Sequence, residues 1–277
     1  MTQDVQELPR TTPPRVQRAQ VTRKRRPWLP KVRARFVLGS VIVVLALWQL
    51  AGQTGVVDVM FTSTPSAILR AGIDMIESGE LWANAQVTLF EYFIGLVLAV
   101  VVGVPVGMLM GWKLRLRQTF EPALVALYVT PSLALLPLVV LALGIGTASK
   151  IAMVFIEAVI TIAVNAMAGI RETDPKLVQA ARAFCANDRA VFGKVLFPSA
   201  LPTIMAGLRL GAGRGVIAVI VAELYGGTEG VGLLISTYGQ NFSIAPLLFL
   251  TLVVAIFGYA VSSLLRAIGT ATTSWKR

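Results

Sequence analysis

Apolar residues arrive along this chain in long blocks rather than in strand-like alternation. Residues 36 to about 56, 84–110, 121 to about 145, 151–170, 206 to about 224 and 245–267 form six such blocks. Each approaches or exceeds the roughly 20 residues that a helix needs to cross a hydrocarbon core. The third is interrupted by "TPSLALLP", where Pro131 and Pro137 break the backbone ladder near Thr130 and Ser132. Backbone groups freed at membrane depth must face protein or water, so this break marks a place of interest. The pattern predicts an all-α membrane protein with six transmembrane helices.

Two stretches between the blocks change period. "TPSAILRAGIDMI" opens with Thr64 as a cap and Pro65 at the first helical position, and Ile68, Leu69, Ile73 and Ile76 recur at helical spacing. It predicts a short amphipathic helix at the outer surface. "ETDPKLVQAARAF" places Thr173 or Asp174 as a cap before Pro175 and predicts a helix to about Cys185. Asn187 or Asp188 then caps a second short helix carrying Val191, Phe192, Val195 and Leu196, expected to end near Pro198.

Composition supports the membrane reading. Of 277 residues, 56% are hydrophobic and 14% charged, with a mean hydropathy of +0.74. A soluble domain carries about 25% charged residues. The net charge of +11 is explained by topology, because all 25 Lys/Arg except Arg70 and Lys150 fall on one side of the six-span scheme or in the inner part of the fifth span. Cytoplasmic loops are rich in Lys/Arg, so both termini are expected inside, in the plasma membrane.

The expected organisation is a disordered basic cytoplasmic arm over 1–35, a first span with the outer amphipathic segment over 36–83, a core over 84–267, and a cytoplasmic tail over 268–277. The arm holds ten Lys/Arg and five prolines, reads as a signal-anchor flank, and is followed by no nucleic-acid-binding fold. One cysteine and no histidine remove disulfide frameworks, thiolate or imidazole metal sites, and His-dependent nucleophilic catalysis.

The cytoplasmic stretch "QAARAFCANDRAVFGKVLFPSALP" has the character of a docking element. Ala180 and Ala181 permit a close backbone approach, and Phe184 offers an anchor of the kind found at interface centres. The same amphipathic pair would also suit a membrane surface, and the residues alone leave both readings open.

The stretch resembles the signature of inner-membrane permeases of binding-protein-dependent ABC importers: Glu-Ala-Ala, three residues, Gly, nine residues, then Ile-x-Leu-Pro. Gln179, Ala180 and Ala181 occupy the start, Cys185 the glycine position, and Val195 to Pro198 the end, with the spacing kept. Gln179 replaces the acidic residue and Cys185 the glycine. "SGELW", "GVPVGMLMGW", "PSLALLPLVVLALGIGTASK", "AGIRETDP", "LPTIMAGLRLG" and "VAEL" extend the resemblance from about Thr64 to Arg266, towards the nitrate, sulfonate, taurine and bicarbonate group.

The resemblance implies a type I importer permease fold, pairing with a second permease copy, and a coupling segment over 173–198 seated on two cytoplasmic ATPase subunits. Gln179, Ala180, Ala181, Phe184, Cys185, Val195 and Pro198 would make that contact. An extracytoplasmic binding protein would deliver a small anionic nutrient of the aliphatic sulfonate, taurine or nitrate type; a vitamin or pyrimidine precursor is the alternative. The chain would be a non-catalytic subunit without its own cofactor, ATP and Mg being bound by the partner. The absence of a G-x-x-x-x-G-K-[ST] loop agrees, "GIGTASK" lacking the spacing.

Thr130, Ser132, Arg214 and Glu223 are the candidates for the translocation pathway, with Arg209 read as reaching towards the cytoplasm. Gly95, Gly103 and Gly107, and Gly207, Gly211 and Gly215, fall at spacings suited to helix packing within the chain. An ion-coupled secondary transporter would need an internal repeat and intramembrane carboxylates. The spans carry no Asp, and Glu223 near a span end is the main carboxylate candidate.

Overall fold

The prolines and polar caps of the sequence set where the helices begin. In the computed structural model, which describes residues 30–54 and 62–272, α2 (Pro65–Glu77) starts at Pro65, with the Thr64 hydroxyl accepting from the Ala67 amide at 3.3 Å. Helix α7 (Pro175–Ala183) starts in the same way, Asp174 rather than Thr173 supplying the cap to Lys176 N at 2.9 Å. For the short α8 (Asp188–Val191), Asn187 caps Ala190 N at 2.8 Å. Each cap satisfies an amide that the first turn leaves without a partner.

The expected arm lies mostly outside the described residues, as do residues 273–277. Helix α1 (Pro30–Gln53) begins ahead of Phe36, where the arm was expected to end. Its part up to Leu45 forms a unit of its own, with Val41, Ile42, Val43 and Val44 exposed. In the second unit, Gln49 donates to Ser66 Oγ and accepts from Ser66 N, both at 3.1 Å, tying the end of α1 to the start of α2.

Among the described residues, four helical stretches are long and apolar enough to cross a membrane: α3 (Glu80–Trp112), α6 (Thr147–Arg171), the stretch containing α9 (Phe197–Gly226), and α11 (Ile244–Thr272). A fifth is a broken pair bent by 88°, in which α4 (Leu114–Val129) meets a 3-10 turn (Ser132–Leu135) and α5 (Leu136–Leu143). Proline accounts for the break: Pro131 carries no amide and keeps Thr130 extended, and Pro137 opens the next helix. The apolar part of α1, Gly39–Gln53, is shorter than a full crossing, and residues 55–61 of the expected first span lie outside the described residues.

Helix α6 lies between α3 and α9, and the glycine rows are what allow it. A Cβ on Gly107 of α3 would lie 2.2 Å from the Ala163 carbonyl oxygen, and one on Gly211 of α9 would lie 2.8 Å from Ile162 Cγ1. Small residues bring the helices close enough for dispersion to hold them where lipid offers no hydrophobic drive. Ala99, Ala158 and Ile162 fill the centre of the trio. At the Trp112 end, Met108, Ala166, Ile170, Leu196, Ala200 and Ile204 form a second cluster. At the Glu80 end, α10 (Val231–Gln240) and α11 pack with α2 through Met75, Val231, Leu234 and Leu250.

One expected boundary is corrected. The second docking helix does not stop near Pro198, nor does the fifth span wait for Ala206: a wide π turn over Phe192–Leu196 leads directly into α9, which holds Pro198 in its first turn and Pro202 inside. Proline is tolerated in a first turn, where its missing amide has no partner to lose. The wider turn before it takes up the extra residue without ending the helix.

Candidate functional site

The segment expected to dock is built on the Trp112 end of the bundle. Val191 and Leu196 are buried in the Met108–Ile170 cluster, with Val178, Ala181, Ala186 and Phe192 packed around them. Phe192 also lies against Trp112, ring centroids 4.9 Å apart. Arg182 closes the turn between α7 and α8, donating to the Ala186 carbonyl at 3.0 Å and pairing with the Asp188 carboxylate. The segment is thereby fixed to α6 and α9 along its inner side.

Its outer side is open. Phe184 is 89% exposed, and Leu177, Gln179, Ala180 and Cys185 are exposed beside it. Ala181, Val195 and Pro198 are half-buried, so the expected coupling residues divide into an outward group and a group turned towards the bundle. Cys185, at the position where the signature has glycine, adopts φ +57°, a left-handed conformation that favours glycine.

A second polar site occupies the break between α4 and α5. A cavity of about 280 Å³ is lined by Tyr128, Thr130, Ser132, Glu157, Arg214 and Ile217, among others. Ser132 Oγ donates to Glu157 Oε1 at 2.5 Å. Arg214 Nη1 lies 3.9 Å from Glu157 Oε2, and its guanidinium stands 4.8 Å above the Tyr128 ring. Thr130, Ser132 and Arg214, expected on the pathway, are thus brought together. Glu157 and Tyr128 join them without having been singled out by the sequence reading.

Glu223 belongs elsewhere. It is fully buried near the end of α9, where Oε1 accepts from Thr88 Oγ at 2.7 Å and Oε2 from Gly232 N at 2.7 Å. Thr88 Oγ in turn accepts from Val231 N at 2.9 Å, and Asn84 Oδ1 from Gly230 N at 2.9 Å. The carboxylate thus fastens the turn between α9 and α10 to α3. At the margin of this end, Tyr238 donates to Glu80 Oε2 at 2.9 Å; burial, then that hydrogen bond and the Glu80 charge, raise its phenol above the ordinary range.

Two expectations about charge are corrected. Lys150, expected in an outer loop, lies in the first turn of α6 and is only 2% exposed. The spans also carry more buried carboxylates than Glu223: Glu91 is fully buried within α3 and Glu157 is 8% exposed within α6. The signal was present, since an acidic residue inside an apolar run must find a partner.

Residues 103–273 match the family model described as binding-protein-dependent transport system inner membrane component. A putative aliphatic sulfonates transport permease protein SsuC of Bacillus subtilis (strain 168) is 32% identical over 84% of this chain and 85% of its own length. The taurine transport system permease protein TauC of Escherichia coli (strain K12) is 30% identical over 86% of this chain and 88% of its own. Among solved structures, a chain of the MetNI methionine ABC transporter in inward facing conformations superposes with a TM-score of 0.63 at 22% identity, covering 70% of this chain and 96% of that one. That likeness is one of fold. The family match across the α3–α11 core, together with these relatives, places the chain among the inner membrane permease components of binding-protein-dependent ABC transport systems.

Proposed function

We propose that the chain forms the membrane pathway of an importer for a small anionic nutrient of the aliphatic sulfonate, taurine or nitrate type. In this reading it pairs with a second copy, spans the plasma membrane six times with both termini in the cytoplasm, and receives substrate from an extracytoplasmic binding protein. The α7–α8 segment, through Gln179, Ala180, Ala181, Phe184, Cys185, Val195 and Pro198, docks on two ATPase subunits that bind ATP and Mg. Family membership sets the ion-coupled alternative aside. The sulfonate and taurine relatives favour the substrate class over a vitamin or pyrimidine precursor.

One observation carries the coupling role: a segment fastened to the core through Val191 and Leu196 leaves an aromatic ring 89% exposed at its tip. Exposed anchors of this size fit pockets on partners, and the rigid inner side would pass their movement to α6 and α9. Co-expression with an ATPase subunit tests it. Ala180→Asp and Phe184→Asp, both on the exposed side, are each expected to lower ATPase recovery more than tenfold while the permease still inserts. Unchanged recovery would place the interface elsewhere.

A further inference from the structure

We propose that the cavity at the broken span binds a small zwitterion, its anionic group on Arg214 and its cationic amine on Glu157; this rests on the importer reading above and selects, from its substrate types, the amino-sulfonate, which carries an anionic group but no net charge. The cavity lining holds one carboxylate and one guanidinium, so it carries no net charge. The two are mismatched as a pair. Arg214 Nη1 stands 3.9 Å from Glu157 Oε2, beyond hydrogen-bonding distance, and among the described residues Arg214 donates no hydrogen bond.

Their surroundings keep them apart and ready. Ser132 holds Glu157 through the other oxygen, Oε1, at 2.5 Å, leaving Oε2 towards the cavity. The Tyr128 ring supports the guanidinium from one side, and the Arg214 side chain remains 41% exposed against 10% for Glu157. A guanidinium presents its donors as a planar fork suited to an oxyacid group.

Electrostatics then selects the ligand. A simple anion drawn to Arg214 would sit within a few ångströms of the Glu157 carboxylate, whose repulsion offsets most of the attraction in a site partly withdrawn from water. A simple cation at Glu157 meets the converse. A molecule carrying both charges completes both groups at once and leaves neither desolvated without a partner. The 3.9 Å between the two groups, rather than the cavity's volume of about 280 Å³, calls for a short spacer between the charges. A larger cleft of about 520 Å³ lined by Leu133, Pro137, Val140, Val221 and Tyr225 has no ionic side chain and offers no such match.

The permease–ATPase complex, purified into lipid nanodiscs without binding protein, tests this with taurine and ethanesulfonate, which share a sulfonate and differ in the amine. Taurine is expected to bind at least tenfold more tightly than ethanesulfonate. Glu157→Gln should weaken taurine at least tenfold while ethanesulfonate is unchanged or tighter. Arg214→Gln should remove both, and Arg214→Lys should retain part of each. Equal affinity for the two probes, equal effects of Glu157→Gln on both, or no binding by a complex that hydrolyses ATP would show that the pair only straps the broken span to its neighbours. Failure of the complex to form would instead overturn the importer reading, and this site with it.

Discussion

Lys150 Nζ lies 2.7 Å from Glu91 Oε1, with the side chains 3% and 0% exposed, joining the first turn of α6 to the interior of α3. Lys150 also donates to the Glu229 carbonyl at 3.3 Å, so the same ammonium reaches the turn after α9. Breaking a buried pair strands a charge, whereas replacing both partners removes the problem. Lys150→Met is therefore expected to destabilise the permease by about 3–5 kcal/mol. The Glu91→Met, Lys150→Met double variant should recover most of it. Thermal melting of the detergent-solubilised proteins reads both; a double-variant loss equal to the sum of the two single losses would show no coupling.

The turn after α9 is equally constrained. Gly230 has φ +116°, and a Cβ there would lie 2.3 Å from Glu223 Cδ. Gly230→Ala meets backbone strain of about 1–3 kcal/mol and must also displace a carboxylate held by Thr88 and Gly232. We expect a larger melting loss than for Gly213→Ala, where nothing lies within 4 Å. Equal melting of the two would show that the turn is pliable.

Cys185 presents the opposite case. Its φ of +57° is one that glycine adopts without the steric cost of a Cβ, roughly 1–2 kcal/mol. Cys185→Gly should slow amide exchange across α7 and α8 severalfold, less than the full strain because glycine gains freedom when unfolded. Faster exchange would mean that the thiol makes a stabilising contact.

Gln179 stands exposed on α7, one turn before Arg182. Gln179→Glu restores the acid of the signature and adds a charge to the exposed side proposed to dock. We expect ATPase recovery to rise about threefold at low salt, and the gain to vanish near 0.5 M salt, as exposed ion pairs do. A gain insensitive to salt would assign the effect to packing instead.

Local chemistry was the legible part of this fold. Thr64, Pro65 and Pro175 announced α2 and α7, and the prolines around Thr130 announced the break, because caps and prolines act within a few residues of themselves. Glu91 and Lys150 were not legible as a pair, since only the packing of α3 against α6 brings them together. The apolar run begins only at Ile151, so nothing local puts Lys150 inside the helix. Ser132 could be named from the proline break and Arg214 as costly in lipid, but their meeting at Glu157 depends on the 88° bend, which no local pattern specifies.

The glycine contacts of α6 limit which motions the permease has available. Gly107 touches the Ala163 carbonyl side of α6, and Gly211 meets Ala158 and Ile162. Sliding α3 by one residue would set Val106 or Met108 where only a hydrogen fits, and the same holds for Leu210 or Ala212 on α9. The three helices are keyed in register and must travel as a single slab. Any bending within the permease then falls to joints at its margins, such as the 88° elbow at Thr130 and Pro131, which opens on the cavity that holds Arg214.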